Sequence, residues 1–184
     1  MKLVKKLVLI LGAAATLVAC GGGGSSDVNR WAAYNGTYVG CNGHWQYTVV
    51  FSAVGANQAT LVEHDDVYAG DGCTGTIAGT LTYPSPLTLT YQSTVSALVS
   101  GVGPSPQNLS IDKVQETVPM MTGTLVGTGV VGECVYYPGG QSCTPLSVPA
   151  TTVDMGIYLT STTLVELHPT ADGYSVTSAV ATKQ

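Results

Sequence analysis

Two groups of side chains in this 184-residue chain could do chemistry. The first is an acidic run, Glu63-His64-Asp65-Asp66, with Asp71 nearby. Carboxylates this close could hold Ca²⁺, which takes oxygen ligands from flexible loops. The spacing does not follow the D-x-[DN]-x-[DN]-G loop, and no bidentate glutamate follows at the right distance. The run therefore reads as a solvated acidic loop between two strands, with calcium or a basic partner as the alternative. The second group is Cys41-Asn42-Gly43-His44, a C-x-x-H spacing that His64 and Cys73 could complete into a tetrahedral Cys₂His₂ zinc site. His64 and Cys73 are nine residues apart, however, and no second tight ligand pair exists.

The same thiols can bridge instead. Setting Cys20 aside leaves Cys41, Cys73, Cys134 and Cys143, an even count with three possible pairings. The preferred set is Cys41–Cys73 with Cys134–Cys143, since the second pair closes a short loop around Tyr136–Gly140 as a stapled hairpin would. In the loop-entropy account the shorter bridge contributes roughly 3 kcal/mol and the longer roughly 4. With Cys73 joined to Cys41, the acidic run is pinned beside the first cysteine. His44, Trp45, His64, Asp65, Asp66 and Asp71 then form a candidate binding rim, and no metal is expected.

Other chemistry is absent from the motifs. There is no G-x-S-x-G, no H-E-x-x-H and no C-x-x-C. His168, in Leu167-His168-Pro169-Thr170, reads as a surface histidine at a strand end. No catalytic residue and no cofactor are expected, and the chain is not expected to be an enzyme.

The elements that carry these residues begin with a leader. Lys2, Lys5 and Lys6 precede an apolar run over residues 7–19, which ends Leu17-Val18-Ala19-Cys20. The run is too short for a membrane-spanning helix of about 20 residues and suits a signal peptide. Basic start, apolar run and small residues before a cysteine together resemble the signal peptide and lipobox of bacterial lipoproteins. The resemblance implies cleavage before Cys20, lipidation there, and membrane attachment through the N-terminal lipid. Several acyl chains anchor stably where one is marginal. The residue after the cysteine is Gly21 rather than the aspartate of inner-membrane retention, which implies a bacterial cell envelope location at the outer membrane. Residues 20–30, rich in Gly and Ser, would form a tether spanning roughly 17 Å.

The chain thus divides into a signal peptide (1–19), a lipidated tether (20–30) and a domain (31–184). Once the leader is removed, Arg30, Lys113 and Lys183 face eleven acids, a formal charge of 3 − 11 = −8. Nucleic acid is excluded as a partner for want of a basic patch.

The domain reads as all-β. Residues 45–52 alternate, with Trp45, Tyr47, Val49 and Phe51 on one face. Residues 87–92 put Leu87, Leu89 and Tyr91 inward, and residues 174–182 put Tyr174 and Val176 on one face. Further strands are expected at 35–40, 58–64, 74–83, 95–100, 109–117, 122–131, 152–160 and 163–167, separated by Gly and Pro turns. About 8–11 short strands with one apolar face each imply a single antiparallel β-barrel or a β-sandwich. Gly36-Thr37-Tyr38 resembles the G-x-W at the first strand of lipocalins, with tyrosine replacing tryptophan, and implies a lipocalin-like barrel. Thr74–Thr80 and Thr122–Thr128 share T-G-T-x-x-G-T, read as glycine-rich strands of similar composition or as a duplicated half. The early aromatics Trp31, Tyr34, Tyr38, Trp45, Tyr47 and Phe51 are expected to form the core and plug one end of it, with an apolar pocket for a small ligand as the alternative. The function these readings imply is a lipid-anchored binding module for a small apolar ligand or an envelope protein. The alternatives are a structural envelope accessory and a metal-dependent enzyme.

Overall fold

The computed structural model describes residues 30–184, apart from the side chains of residues 177–180. The leader, Cys20 and the tether up to residue 29 lie outside the described residues. A 3₁₀ turn (Arg30–Ala33) opens the domain. The strands that follow are β1 (Gly36–Asn42), β2 (Trp45–Ala53), β3 (Gln58–Gly70), β4 (Thr74–Thr82), β5 (Leu87–Ser100), β6 (Gln107–Val118), β7 (Met121–Thr122) and β8 (Thr124–Val126). Next come β9 (Val130–Val131), β10 (Cys134–Tyr137), β11 (Gly140–Cys143), β12 (Ser147–Val148), β13 (Thr151–Leu159), β14 (Thr163–Thr170) and β15 (Gly173–Lys183).

The protein is all-β, built on one large mixed sheet with two small ones beside it. Antiparallel ladders join β1 to β2, β2 to β3, β3 to β5 and β5 to β6. They continue from β6 to β13, β13 to β14 and β14 to β15, and β15 pairs back with β1. The mixed character comes from one short parallel contact, Tyr174 and Ser175 of β15 against Val99 and Ser100 of β5.

Side-chain alternation along these strands sorts residues to two faces. Val49, Phe51, Ala59, Leu61, Leu89, Val114, Met155, Ile157, Leu164 and Ala181 form one buried cluster with Trp31, Tyr34 and Tyr38. The 3₁₀ turn fills one end of it. Trp31 meets Tyr34 and Tyr91 edge-on and Phe51 at a tilt, and Tyr34 stacks on Phe51. The Tyr38 hydroxyl donates to the Tyr34 carbonyl, and the Tyr34 hydroxyl donates to Asp112 Oδ2 at 2.6 Å. The expectation that early aromatics fill one end is met by Trp31, Tyr34, Tyr38 and Phe51, with Tyr47 packed at the edge of the cluster, whereas Trp45 packs elsewhere, beside Val67, Ala78 and Val135.

A second cluster forms on the opposite face of β14, where Val165 and Leu167 pack with Val99 and Ile111. Its origin is a bulge in β5 between Tyr91 and Ser93. One extra residue flips every later side chain to the other face. Leu89 and Tyr91 therefore join the first cluster, and Val95, Ala97 and Val99 join the second. Residues 87–92 and 95–100, expected as two strands, are this one bulged strand. The reverse happens at 122–131, where the expected single strand is broken into β7, β8 and β9.

The T-G-T-x-x-G-T segments lie side by side rather than in equivalent halves. Thr80, Leu81 and Thr82 of β4 pair antiparallel with Val126, Leu125 and Thr124 of β8. Gly127 has φ +151°, and a Cβ there would come within 2.3 Å of the Ala78 carbonyl oxygen. Glycine is the residue this close backbone approach admits.

Both expected bridges are present, Cys41–Cys73 and Cys134–Cys143. The second joins paired residues of the β10–β11 hairpin. Val135 of that hairpin is fully buried against Val67 and Ala78 in a third cluster, with Trp45 and Tyr137 beside it.

Candidate functional site: an acidic cavity

A cavity of about 460 Å³ opens beyond the first cluster. Its lower wall is aliphatic, from Val49, Leu61, Leu87, Leu164 and Ala181. Trp45, Tyr47 and Asn42 line it as well, and four carboxylates complete it: Glu63, Asp65, Glu116 and Glu166. No lysine, arginine or histidine is among these lining residues.

Strand alternation explains how acids reach an interior. In β3, Leu61, Glu63 and Asp65 are two apart and share a face, as do Val114 and Glu116 in β6 and Leu164 and Glu166 in β14. Each carboxylate thus continues a row that begins with a buried aliphatic residue. Cross-strand pairing sets Tyr47 opposite Asp65 and Val49 opposite Glu63.

Bringing these half-buried acids together favours their protonated forms. Burial pushes Glu63 up to about 8, and the neighbouring charges of Asp65, Glu166 and Glu116 add to it. Burial raises Glu166 to about 7, helped by Glu116. Asp65 rises to about 6, mainly through burial, with His64 opposing and Asp66 adding. Burial raises Glu116 too, against an opposing pull from His168. One oxygen of Asp65, Oδ1, is buried without a hydrogen-bond partner. A smaller cavity of about 170 Å³ shares Leu61, Glu63 and Leu87 with the main one and is walled by Tyr83, Met121 and Val148. Burial raises the Tyr83 phenol, and Asp65 and Glu63 add to the effect.

The residues expected to form a rim separate. Trp45 and Asp65 line the cavity. His64 and Asp66 lie on the opposite face of β3, 3.9 Å apart, and the Thr80 hydroxyl donates to Asp66. His44 stacks on Tyr137 at 3.9 Å between ring centres, and its Nδ1–H donates to the Tyr68 carbonyl. Asp71 sits in the β3–β4 turn, where its carbonyl accepts from the Thr74 hydroxyl. The acidic run is therefore not a solvated loop. It lies inside β3, which continues to Gly70, because residues 64–67 pair with both β2 and β4. The two sulfurs that a zinc site would need are joined to each other. Among the described residues, no three His, Cys, Asp or Glu side chains are arranged to hold a metal ion.

The site residues not singled out from sequence are Glu116 and Glu166, and Glu63 as an inward group. A signal existed: a glutamate at the inward position of an otherwise alternating strand, two residues after Val114 and Leu164. The stapled hairpin adds a further contact at the wall, where Trp45 Nε1–H donates to Ser142 Oγ at 2.8 Å. No family model matches the chain, and neither a curated protein nor a solved structure matches it.

Proposed function

We propose that this protein is a binding module for a small organic ligand, held at a bacterial envelope by a lipid on Cys20. The eight-strand circuit is read as a lipocalin-like barrel, and the cavity as the ligand site in its interior. The observation that carries the reading is the cavity itself. Its volume is in the range of small-molecule sites, and it combines aliphatic and aromatic walls with a few polar groups, the composition such sites share. The proposed role is binding rather than turnover, and the lipid keeps the module near its membrane.

The test is a heat-shift screen of the full-length protein in detergent with a small-molecule fragment set, run beside Ala181→Trp. Ala181 lines the cavity and is 4% exposed. An indole there fills the ligand space. Fragments that raise the melting temperature of the parent but not of the variant support the reading. No fragment effect, or effects equal in both proteins, would overturn it.

A further inference from the structure

Resting on the reading of the cavity as a ligand site, we infer that its ligand is an organic cation: an amine, guanidinium or quaternary ammonium carried on an apolar body. Four carboxylates line one cavity, and no lining residue is a lysine, arginine or histidine. The three basic residues of the domain are placed elsewhere. Arg30 lies over the Tyr91 ring at 3.7 Å and Lys183 over the Tyr38 ring at 5.8 Å, both beside the aromatic end of the core. Lys113 precedes the inward-facing Val114 and so belongs to the other face of β6. Carboxylates crowded together and partly withdrawn from water are stabilised by keeping a proton or by meeting a cation. A ligand that brings its own positive charge satisfies them.

The remaining walls select among cations. A metal ion needs three or more ligands converging on one point, and the described residues offer no such group. The space is also far larger than an ion. Trp45 and Tyr47 present aromatic surface of the kind that attracts ammonium and guanidinium groups. Val49, Leu61, Leu87, Leu164 and Ala181 offer an apolar floor for a hydrocarbon body. Asp65 lines the space, and its Oδ1 is buried without a hydrogen-bond partner. An anion would meet four carboxylates, and a neutral apolar molecule would bring no charge to offset theirs. The cavity is thus built against both.

Calorimetric titration of the full-length protein in detergent tests this with three probes of one shape: 2-phenylethylamine, 2-phenylethanol and phenylacetate. The amine is expected to saturate at one site and to bind at least about tenfold more tightly than the alcohol, with phenylacetate weakest. Glu63→Gln should weaken the amine about tenfold and leave the alcohol unchanged. Gln keeps the shape and removes the charge, so folding is retained, and the melting temperature of the variant checks this. Ala181→Trp should abolish binding of the amine. Alcohol or phenylacetate binding as tightly as the amine would overturn the cationic class while leaving the cavity a ligand site. Amine binding unchanged by both Glu63→Gln and Glu166→Gln would overturn it also. No saturable binding of any of the three would remove the ligand-site reading, and this inference with it.

Discussion

Glu63 shows most clearly what a single residue contributes here. It continues the row of Leu61, so the strand places it inside whatever its chemistry, and burial then raises it to about 8. In the unfolded chain a glutamate titrates near 4.5. Between those values the folded protein holds a proton that the unfolded chain has lost, so folding is favoured most at or below about 4.5. That advantage disappears as pH rises through about 8. Asp65, Glu166 and Glu116 face the same space and shift in the same direction, while His64 and His168 act against them. The ligand-free protein is therefore expected to lose stability between pH 5 and 9, by an amount on the order of 1–3 kcal/mol. Urea titrations across that range check it. Glu63→Gln should flatten the slope and leave the variant more stable than the parent at the alkaline end. A parent whose stability rises over this range would contradict the cavity's electrostatics. The acids themselves were visible in the sequence, and so was the alternation that turns them inward. What could not be read was their convergence, because Glu63, Glu116 and Glu166 come from strands distant in the chain. An acidic run also looks like a loop when its strand partners are unknown.

At the scale of elements, strand positions were legible and strand continuity was not. Alternation in residues 45–52 marked β2, and the strands expected at 109–117 and 152–160 fall on β6 and β13 to within a few residues. The bulge after Tyr91 breaks the period without breaking the strand, so one strand read as two. Between residues 122 and 131, glycines that serve close packing interrupt a segment whose composition still looks continuous. The packing gives these glycines a measurable weight. Gly127→Ala would drive a Cβ against the Ala78 carbonyl at an unfavourable φ, and should destabilise the domain by about 2–4 kcal/mol. Gly55→Ala, where a Cβ meets nothing within 4 Å, should change stability by less than about 0.5 kcal/mol. Chemical denaturation of the pair measures the difference. The stapled hairpin is the second test. Replacing Cys134 and Cys143 together by serine should cost about 2–3 kcal/mol from the freed loop. Since Ser142 accepts from Trp45 and Val135 is buried beside it, the loosened hairpin should also red-shift the tryptophan emission. Unaltered emission alongside the lost stability would mean that the hairpin stays seated without its staple.

For the whole molecule, ladder closure is the property that no local pattern carries. Periodicity yields strands with an inward face, and a barrel and a sandwich both satisfy it. The return of β15 to β1 depends on contacts between the two ends of the domain, Tyr38 with Lys183 and Val39 with Thr182. That closure bears on the leader. Trp31 and Tyr34, the first large side chains after the tether, are buried in the core together with Ala181 from the last strand. Among the described residues, the core begins at Trp31, directly after the Gly/Ser-rich segment. If the Cys20 lipid is the attachment, removing it should change where the protein is found and nothing about how it folds. Cys20→Ala is expected to move the protein from the membrane fraction to the soluble fraction of the envelope. Its melting temperature and its affinity for 2-phenylethylamine should match those of the lipidated protein. Continued sedimentation of the variant with membranes would count against the lipid anchor. Release with altered stability would show that the tether packs on the domain.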